Sequence, residues 1–169
     1  KIMPNWIDLD RFSNINIDLI YKKYNLNSTD KYILFVHRLA KRKGAHYIAN
    51  LAKNNLEFKF LIAGDGPYRK ELEQEIKGLD NVILLGKVPN KDVPGLMNIS
   101  KLFFMPSEEE GFPRVLLESM ATGLPYVAFD IGGVREISIK NQQDYIVDNI
   151  DDMDVVIKKL LNNQAIYDK

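Results

Sequence analysis

Tyr32-Ile33-Leu34-Phe35-Val36-His37-Arg38-Leu39-Ala40-Lys41-Arg42-Lys43-Gly44 joins an unbroken apolar run, rich in β-forming residues, to a loop dense in cations. Continuous rather than alternating apolar character is expected of a strand covered on both faces, as in a parallel sheet. The same texture returns at Phe58 to Ala63, Val82 to Leu85, Leu102 to Met105 and Tyr126 to Phe129, and more weakly at Tyr145 to Val147.

Helical patterns lie between these runs. Ile48, Leu51 and Ala52 form one apolar stripe. Tyr68, Leu72 and Ile76 form another within Pro67 to Lys77, opened by Pro67 and closed by Gly78. Asp92 to Ser100 reads as a shorter helix with Pro94 in its first turn, and Ile17 to Tyr24 as a short one ahead of the sheet. Asp151 to Asn163 carries Met153, Val156, Ile157, Leu160 and Leu161 on one face, with acids first and lysines late, as the helix dipole favours. Alternation of strand and helix predicts an α/β fold: a single doubly wound, Rossmann-like domain with a mostly parallel six-stranded sheet. Ligands of such sheets bind at the carboxyl ends of the strands.

A length of 169 residues fits one domain able to bury a proper core. Lys plus Arg and Asp plus Glu balance at 23 each, so no whole-molecule field points to nucleic acid or to an anionic membrane. The absence of cysteine excludes disulfides, thiolate catalysis and cysteine-ligated metal centres, and leaves His37 and His46 as the imidazoles. Asp8 and Asp10 are the nearest approach to a metal-ligand pair and read as solvated loop acids, so no metal site is expected. No stretch reaches the length of a membrane span and no signal peptide is visible. The chain begins at Lys1 rather than Met, as expected of a piece of a longer protein.

Downstream of the fourth strand, Pro106-Ser107-Glu108-Glu109-Glu110-Gly111-Phe112-Pro113 is an acidic loop, followed by a helix that starts with Pro113 in its first turn and stops at Gly123 and Pro125. The free N–H groups of a helix N-terminus suit a phosphate or a ring of hydroxyls, and Gly111 permits close approach of a ligand to the backbone. Arg38 and Lys43 hang over the same edge of the sheet. An arginine fork with a lysine charge is a natural clamp for a diphosphate leaving group, although a basic surface loop has the same composition. Taken alone, Glu110 reads equally as one of three solvated loop carboxylates. Glu118 reads as a helix salt bridge to Arg114, worth only a few tenths of a kcal/mol in that order. His37 reads as a strand-end filler, with no matched acid or nucleophile beside it in the sequence.

Glu110-Gly-Phe-Pro, three further residues and Leu117-Glu118 resemble the Glu-x7-Glu signature of retaining glycosyltransferases of family 4, the glycogen-synthase-like group. Arg38-Leu39 with Lys43-Gly44 resembles that family's Gly-Arg-Leu-x-x-x-Lys-Gly, with His37 in place of the Gly. Gly64-Asp65-Gly66-Pro67 is similar to its Gly-(Asp/Glu)-Gly-Pro turn, and Gly132-Gly133-Val134-Arg135-Glu136 to its Gly-Gly-x-x-Glu turn. Both turns are expected to be structural. Pro4, Asn5, Asp8 and Phe12 keep the spacing of its interdomain crossover, with Trp6 in place of a Gly.

The resemblance implies the C-terminal half of a GT-B fold, with residues 1–30 forming a crossover segment and short helix and residues 31–169 a nucleotide-sugar-binding domain. It implies transfer of a hexose-like unit from a nucleoside diphosphate sugar with retention, in the manner of mannosyltransferases and of cell-surface polysaccharide synthesis, in the cytoplasm or against the inner face of the membrane. Arg38, Lys43 and Glu110 are the implied catalytic residues. The donor is expected to touch Arg38, Lys43, Val88, Glu110, Gly111, Phe112, Pro113, Leu117 and Glu118. Glu118 is expected on the ribose, Glu110 on the transferred sugar and Val88 beside the nucleobase. No cofactor, metal or nucleic acid is implied. The implied partners are the nucleoside diphosphate sugar and an N-terminal Rossmann-like domain absent from this chain, without which no transfer is expected. Any membrane contact would come through that half or a lipid acceptor. Two other readings remain open at this stage: a non-catalytic nucleotide-binding or regulatory module, and a sugar-nucleotide epimerase-like domain.

Overall fold

The computed structural model describes residues 7–13 and 15–162. Pro4, Asn5 and Trp6 of the crossover pattern, and Asn163 of the last helix, lie outside the described residues. Six strands, β1 (Tyr32–Val36), β2 (Lys59–Ala63), β3 (Val82–Gly86), β4 (Ser100–Met105), β5 (Tyr126–Phe129) and β6 (Ile146–Val147), form one sheet in the order β3-β2-β1-β4-β5-β6. All five pairings are parallel.

Helices α1 (Ile17–Lys23), α2 (Ile48–Asn54), α3 (Arg69–Glu75), α4 (Val93–Ile99), α5 (Arg114–Ala121), α6 (Val134–Ile137) and α7 (Ile150–Asn162) cover both faces. The period-two geometry of a strand divides its side chains between two cores. Ile33, Phe35, Phe60, Ile62, Leu102, Phe104, Val127 and Phe129 pack with α2, α3 and α7. Leu34, Leu61, Phe103, Met105, Tyr126 and Ala128 pack on the other side with α1, α4, α5 and α6. Two apolar faces explain why the strand sequences do not alternate.

Most boundaries shift by a residue or two from the sequence reading, and the ends of α3 and the start of α5 show why. Pro113 stands at the N-cap of α5 with ψ 82°, one residue before the helix, and Pro67 lies in the turn ahead of α3. Helix α3 ends at Glu75, before Gly78, which takes φ 85° beyond it. Gly123 closes α5 in the left-handed conformation, as expected. Asp8 is a cap, its carboxylate accepting the Asp10 N–H at 3.1 Å to start the single turn Leu9–Phe12. Among the described residues no helix is long and apolar enough to cross a membrane, and no three His, Asp or Glu side chains converge on a common point.

The chain runs outward from β1 to β2 and β3, then crosses back to β4 on the other side of β1. That reversal opens a crevice between the carboxyl ends of β1 and β4, and the segments bounding it are the basic loop and the acidic loop.

Candidate functional site

Neither loop is comfortable alone, because like charges crowd each of them. Docked together they neutralise one another. The Glu108 N–H donates to the Arg42 carbonyl at 3.0 Å, and the Tyr47 hydroxyl donates to Glu108 Oε1 at 2.8 Å. His46 Nε2 lies 3.5 Å from Glu108 Oε1, Arg42 Nη1 lies 3.4 Å from Glu109 Oε2, and Lys43 Nζ lies 2.8 Å from Glu110 Oε1. Arg42 and Glu109 are exposed, so that pair contributes about 0–1 kcal/mol. Lys43 and Glu110 have side chains 11% and 10% exposed, so each would leave a poorly solvated charge without the other.

Glu110 is therefore not a solvated loop acid. Its Oε1 also lies 3.0 Å from His37 Nε2, while Nδ1 of that imidazole accepts the Arg38 N–H at 2.7 Å. Both nitrogens, His37 Nε2 and Lys43 Nζ, are at ion-pair distance from Oε1, although neither N–H is aligned on that oxygen as a hydrogen bond. Burial alone would raise the Glu110 pKa. The contacts with His37 and then Lys43 outweigh burial and hold it down at about 2. A depressed folded pKa contributes stability above the ordinary carboxylate range, and this is lost as pH falls toward 2. The expectation that His37 lacks a matched acid is thus corrected. Glu110 is its acid, reached across the crevice from a different strand.

The walls of two adjoining cavities, of about 370 and 510 Å³, share Val36, His37, Asn90 and Val93. Volumes of a few hundred Å³ are those of small-ligand pockets. The first cavity is completed by Arg11, Glu110, Phe112, Pro113, Arg114, Val115 and Glu118. The second is completed by Arg38, the Gly64-Asp65-Gly66 turn, Lys87 and Val88. Arg38, Val88, Glu110, Phe112, Pro113 and Glu118 are thus brought to one crevice, as expected.

Three of the residues expected to touch the donor, Leu117, Lys43 and Gly111, line neither cavity. Arg114, Val115 and Glu118 share one arc of α5, and Leu117, about 100° from Glu118, falls outside it. Lys43 sits behind Glu110, where its ammonium donates to the Glu109 carbonyl. Gly111 stands at the loop tip, where a Cβ would meet nothing within 4 Å. The Gly132-Gly133 turn has the structural role expected of it, since a Cβ on Gly132 would lie 2.3 Å from the Glu110 carbonyl oxygen.

Glu118 forms no ion pair with Arg114 among the described residues, so its salt-bridge reading fails. Burial raises its pKa, and Arg11 and Arg114 offset this only in part. A half-buried carboxylate open to a cavity is suited to accept ligand hydroxyls. Arg11 and Asn90 were missed by the sequence reading. The Arg11 guanidinium donates to the Asn90 carbonyl at 3.1 Å, so the single turn Leu9–Phe12 is tied to the loop after β3. A carbonyl contact leaves no side-chain signature, and a lone Arg in an irregular segment carries no pattern.

Residues 16–169 match the model of glycosyl transferases group 1, and the chain belongs to that family. It is 33% identical to the UDP-Gal:alpha-D-GlcNAc-diphosphoundecaprenol alpha-1,3-galactosyltransferase of Escherichia coli, over 95% of this chain and 44% of that protein. It is 32% identical to the N-acetyl-alpha-D-glucosaminyl L-malate synthase of Bacillus anthracis, over 79% of this chain and 36% of that one. The chain spans less than half the length of these curated relatives. Its fold superposes with TM-score 0.85 on Anabaena HepE in complex with UDP and glucose, at 24% identity, covering 99% of this chain and 48% of that one. The C-terminal domain of a group 1 glycosyl transferase from Francisella tularensis superposes with TM-score 0.79 at 21% identity, over 96% of this chain and 91% of that domain. The Rossmann-like domain is therefore of the GT-B glycosyltransferase type.

Proposed function

We propose that this chain is the donor-binding half of a retaining glycosyltransferase that moves a hexose-like unit from a nucleoside diphosphate sugar. One observation carries the reading: Arg38, Glu110 and Glu118 come from separate segments and converge on the crevice between β1 and β4. In this reading the nucleobase lies by Val88 on the wall of the second cavity, and the ribose reaches across the shared wall toward Glu118 in the first. Glu118 accepts hydroxyl donors of the ribose, Arg38 clamps the diphosphate, and Glu110 faces the transferred sugar beside Phe112 and Pro113.

Pro113 has no N–H, so backbone donation to the sugar would come from its neighbours. Lys43 reaches the diphosphate by exchanging its Glu110 partner for phosphate. The two cations then meet the charge that develops on the leaving group, and no metal ion is assigned. The acceptor and the other wall of the cleft belong to an N-terminal Rossmann-like domain, joined through residues 1–30. This half alone is expected to bind donor weakly and to transfer nothing.

The Escherichia coli relative is named for a UDP-sugar and a lipid-linked acceptor, and the Anabaena structure holds UDP, so uridine diphosphate is the first probe. The full-length protein, screened against UDP- and GDP-sugars with the product followed by NMR, is expected to keep the donor's anomeric configuration. An inverted product would remove the retaining assignment. A protein that binds nucleotides but transfers no sugar would turn the reading to a regulatory module.

A further inference from the structure

His37 stands on the wall shared by the two cavities and joins their two ends. Its Nδ1 accepts the Arg38 N–H at 2.7 Å, and its Nε2 faces Glu110 Oε1 at 3.0 Å. With Nδ1 accepting an N–H, a neutral ring carries its proton on Nε2, on the side of the Glu110 carboxylate though not aligned on Oε1. The ring thus occupies a backbone donor at the mouth of the basic loop, beside the guanidinium assigned to the diphosphate.

A diphosphate seated on Arg38 competes for that N–H, because a charged oxygen makes the stronger hydrogen bond. The displaced Nδ1 lone pair then faces phosphate oxygens, which are lone pairs too. The repulsion is removed when Nδ1 takes a proton from solvent, turning the contact into a charge-assisted N–H to phosphate bond.

We infer that His37 is a titratable third cation for the diphosphate, and that nucleoside diphosphate binding takes up a proton at this residue. The inference rests on the proposed donor site but goes beyond it, since Arg38 and Lys43 would bind the ligand without any proton exchange. The charged groups around the ring are Glu110, Arg11, Arg114 and Glu118 in the first cavity and Arg38, Asp65 and Lys87 in the second, with Lys43 behind Glu110. Arginine and lysine ordinarily remain charged through neutral pH, so they supply no proton change. Glu118 is held toward protonation by burial, so the assignment needs a variant at His37 itself.

The test is calorimetry of UDP and GDP binding to this chain at pH 7.5, in buffers of different ionisation enthalpy. The wild-type chain is compared with His37→Gln, which shares the ligand's own titration. Wild type should take up a measurable fraction of a proton more than His37→Gln. Its affinity should fall more steeply than the variant's as pH rises from 6 to 9.

Nitrogen shifts of the His37 ring in wild type give a second readout, free of any folding defect in the variant. They should move from the Nε2–H neutral form to the doubly protonated form as UDP is added. Equal proton uptake in both chains, or a ring that stays neutral when saturated with UDP, would overturn the inference while leaving the donor site standing. Failure of both UDP and GDP to bind would overturn the donor site, and this inference with it.

Discussion

In the full-length protein, the role proposed for Glu110 predicts that Glu110→Gln lowers kcat/KM for sugar transfer by about ten- to a thousandfold, because a group on the reacting sugar binds the transition state more strongly than the ground state. Nucleoside diphosphate affinity should not fall, and it should rise if Lys43 is released. Lys43 Nζ now lies 2.8 Å from Glu110 Oε1, and an amide at that position competes less well with phosphate for the ammonium. The substitution removes one member of a buried pair, so the folded fraction must be checked by circular dichroism at the assay temperature. Weakened diphosphate binding with preserved turnover would mean that Glu110 serves the nucleotide and not the sugar.

Gly44→Ala should be a strongly damaging single methyl at the joint of the two loops. Gly44 has φ 74° and closes the basic turn, where an L-residue costs roughly 1–2 kcal/mol. Its added Cβ would also lie 2.0 Å from the Pro106 carbonyl oxygen and 2.6 Å from the carbonyl carbon, both backbone atoms at the end of β4. No rotamer relieves that clash, so the two loops must separate. A loss of about 2–4 kcal/mol in denaturant unfolding is expected, together with weaker UDP binding, since Lys43 and Glu110 sit on opposite sides of this contact. A change within a few tenths of a kcal/mol would show that the loops are not packed as described.

Much of this was legible because parallel strands buried on both faces leave long apolar runs. Tyr32–Val36 and Tyr126–Phe129 are placed by the structure where the sequence put them. The crevice itself follows from strand order, which local pattern does not encode. Only when β4 returns beside β1 do Arg38 and Glu110 share one edge. That is also why His37 looked idle: its acid lies far along the chain, and the contact exists only through the crossover.

The motif singled out Glu118, and the structure places it on the wall of the first cavity. Its unpaired, half-buried state was not legible, because helical spacing offered Arg114 as a partner that the structure does not use. Leu117 shares the motif but lies on a different arc of α5 and lines neither cavity. Lys43 was assigned to the ligand by its spacing from Arg38, whereas its present partner is set by the docking of two loops.

The central claim is that Arg38 clamps a diphosphate at the carboxyl ends of β1 and β4. Calorimetry of UDP, GDP and the corresponding nucleosides with wild type and Arg38→Ala tests it most directly. A hydrogen bond to a charged group contributes about 1.5–3 kcal/mol, so the variant should bind the diphosphates roughly ten- to a hundredfold more weakly. The nucleosides should bind both chains alike. Equal losses for nucleoside and diphosphate, or none for either, would contradict the account.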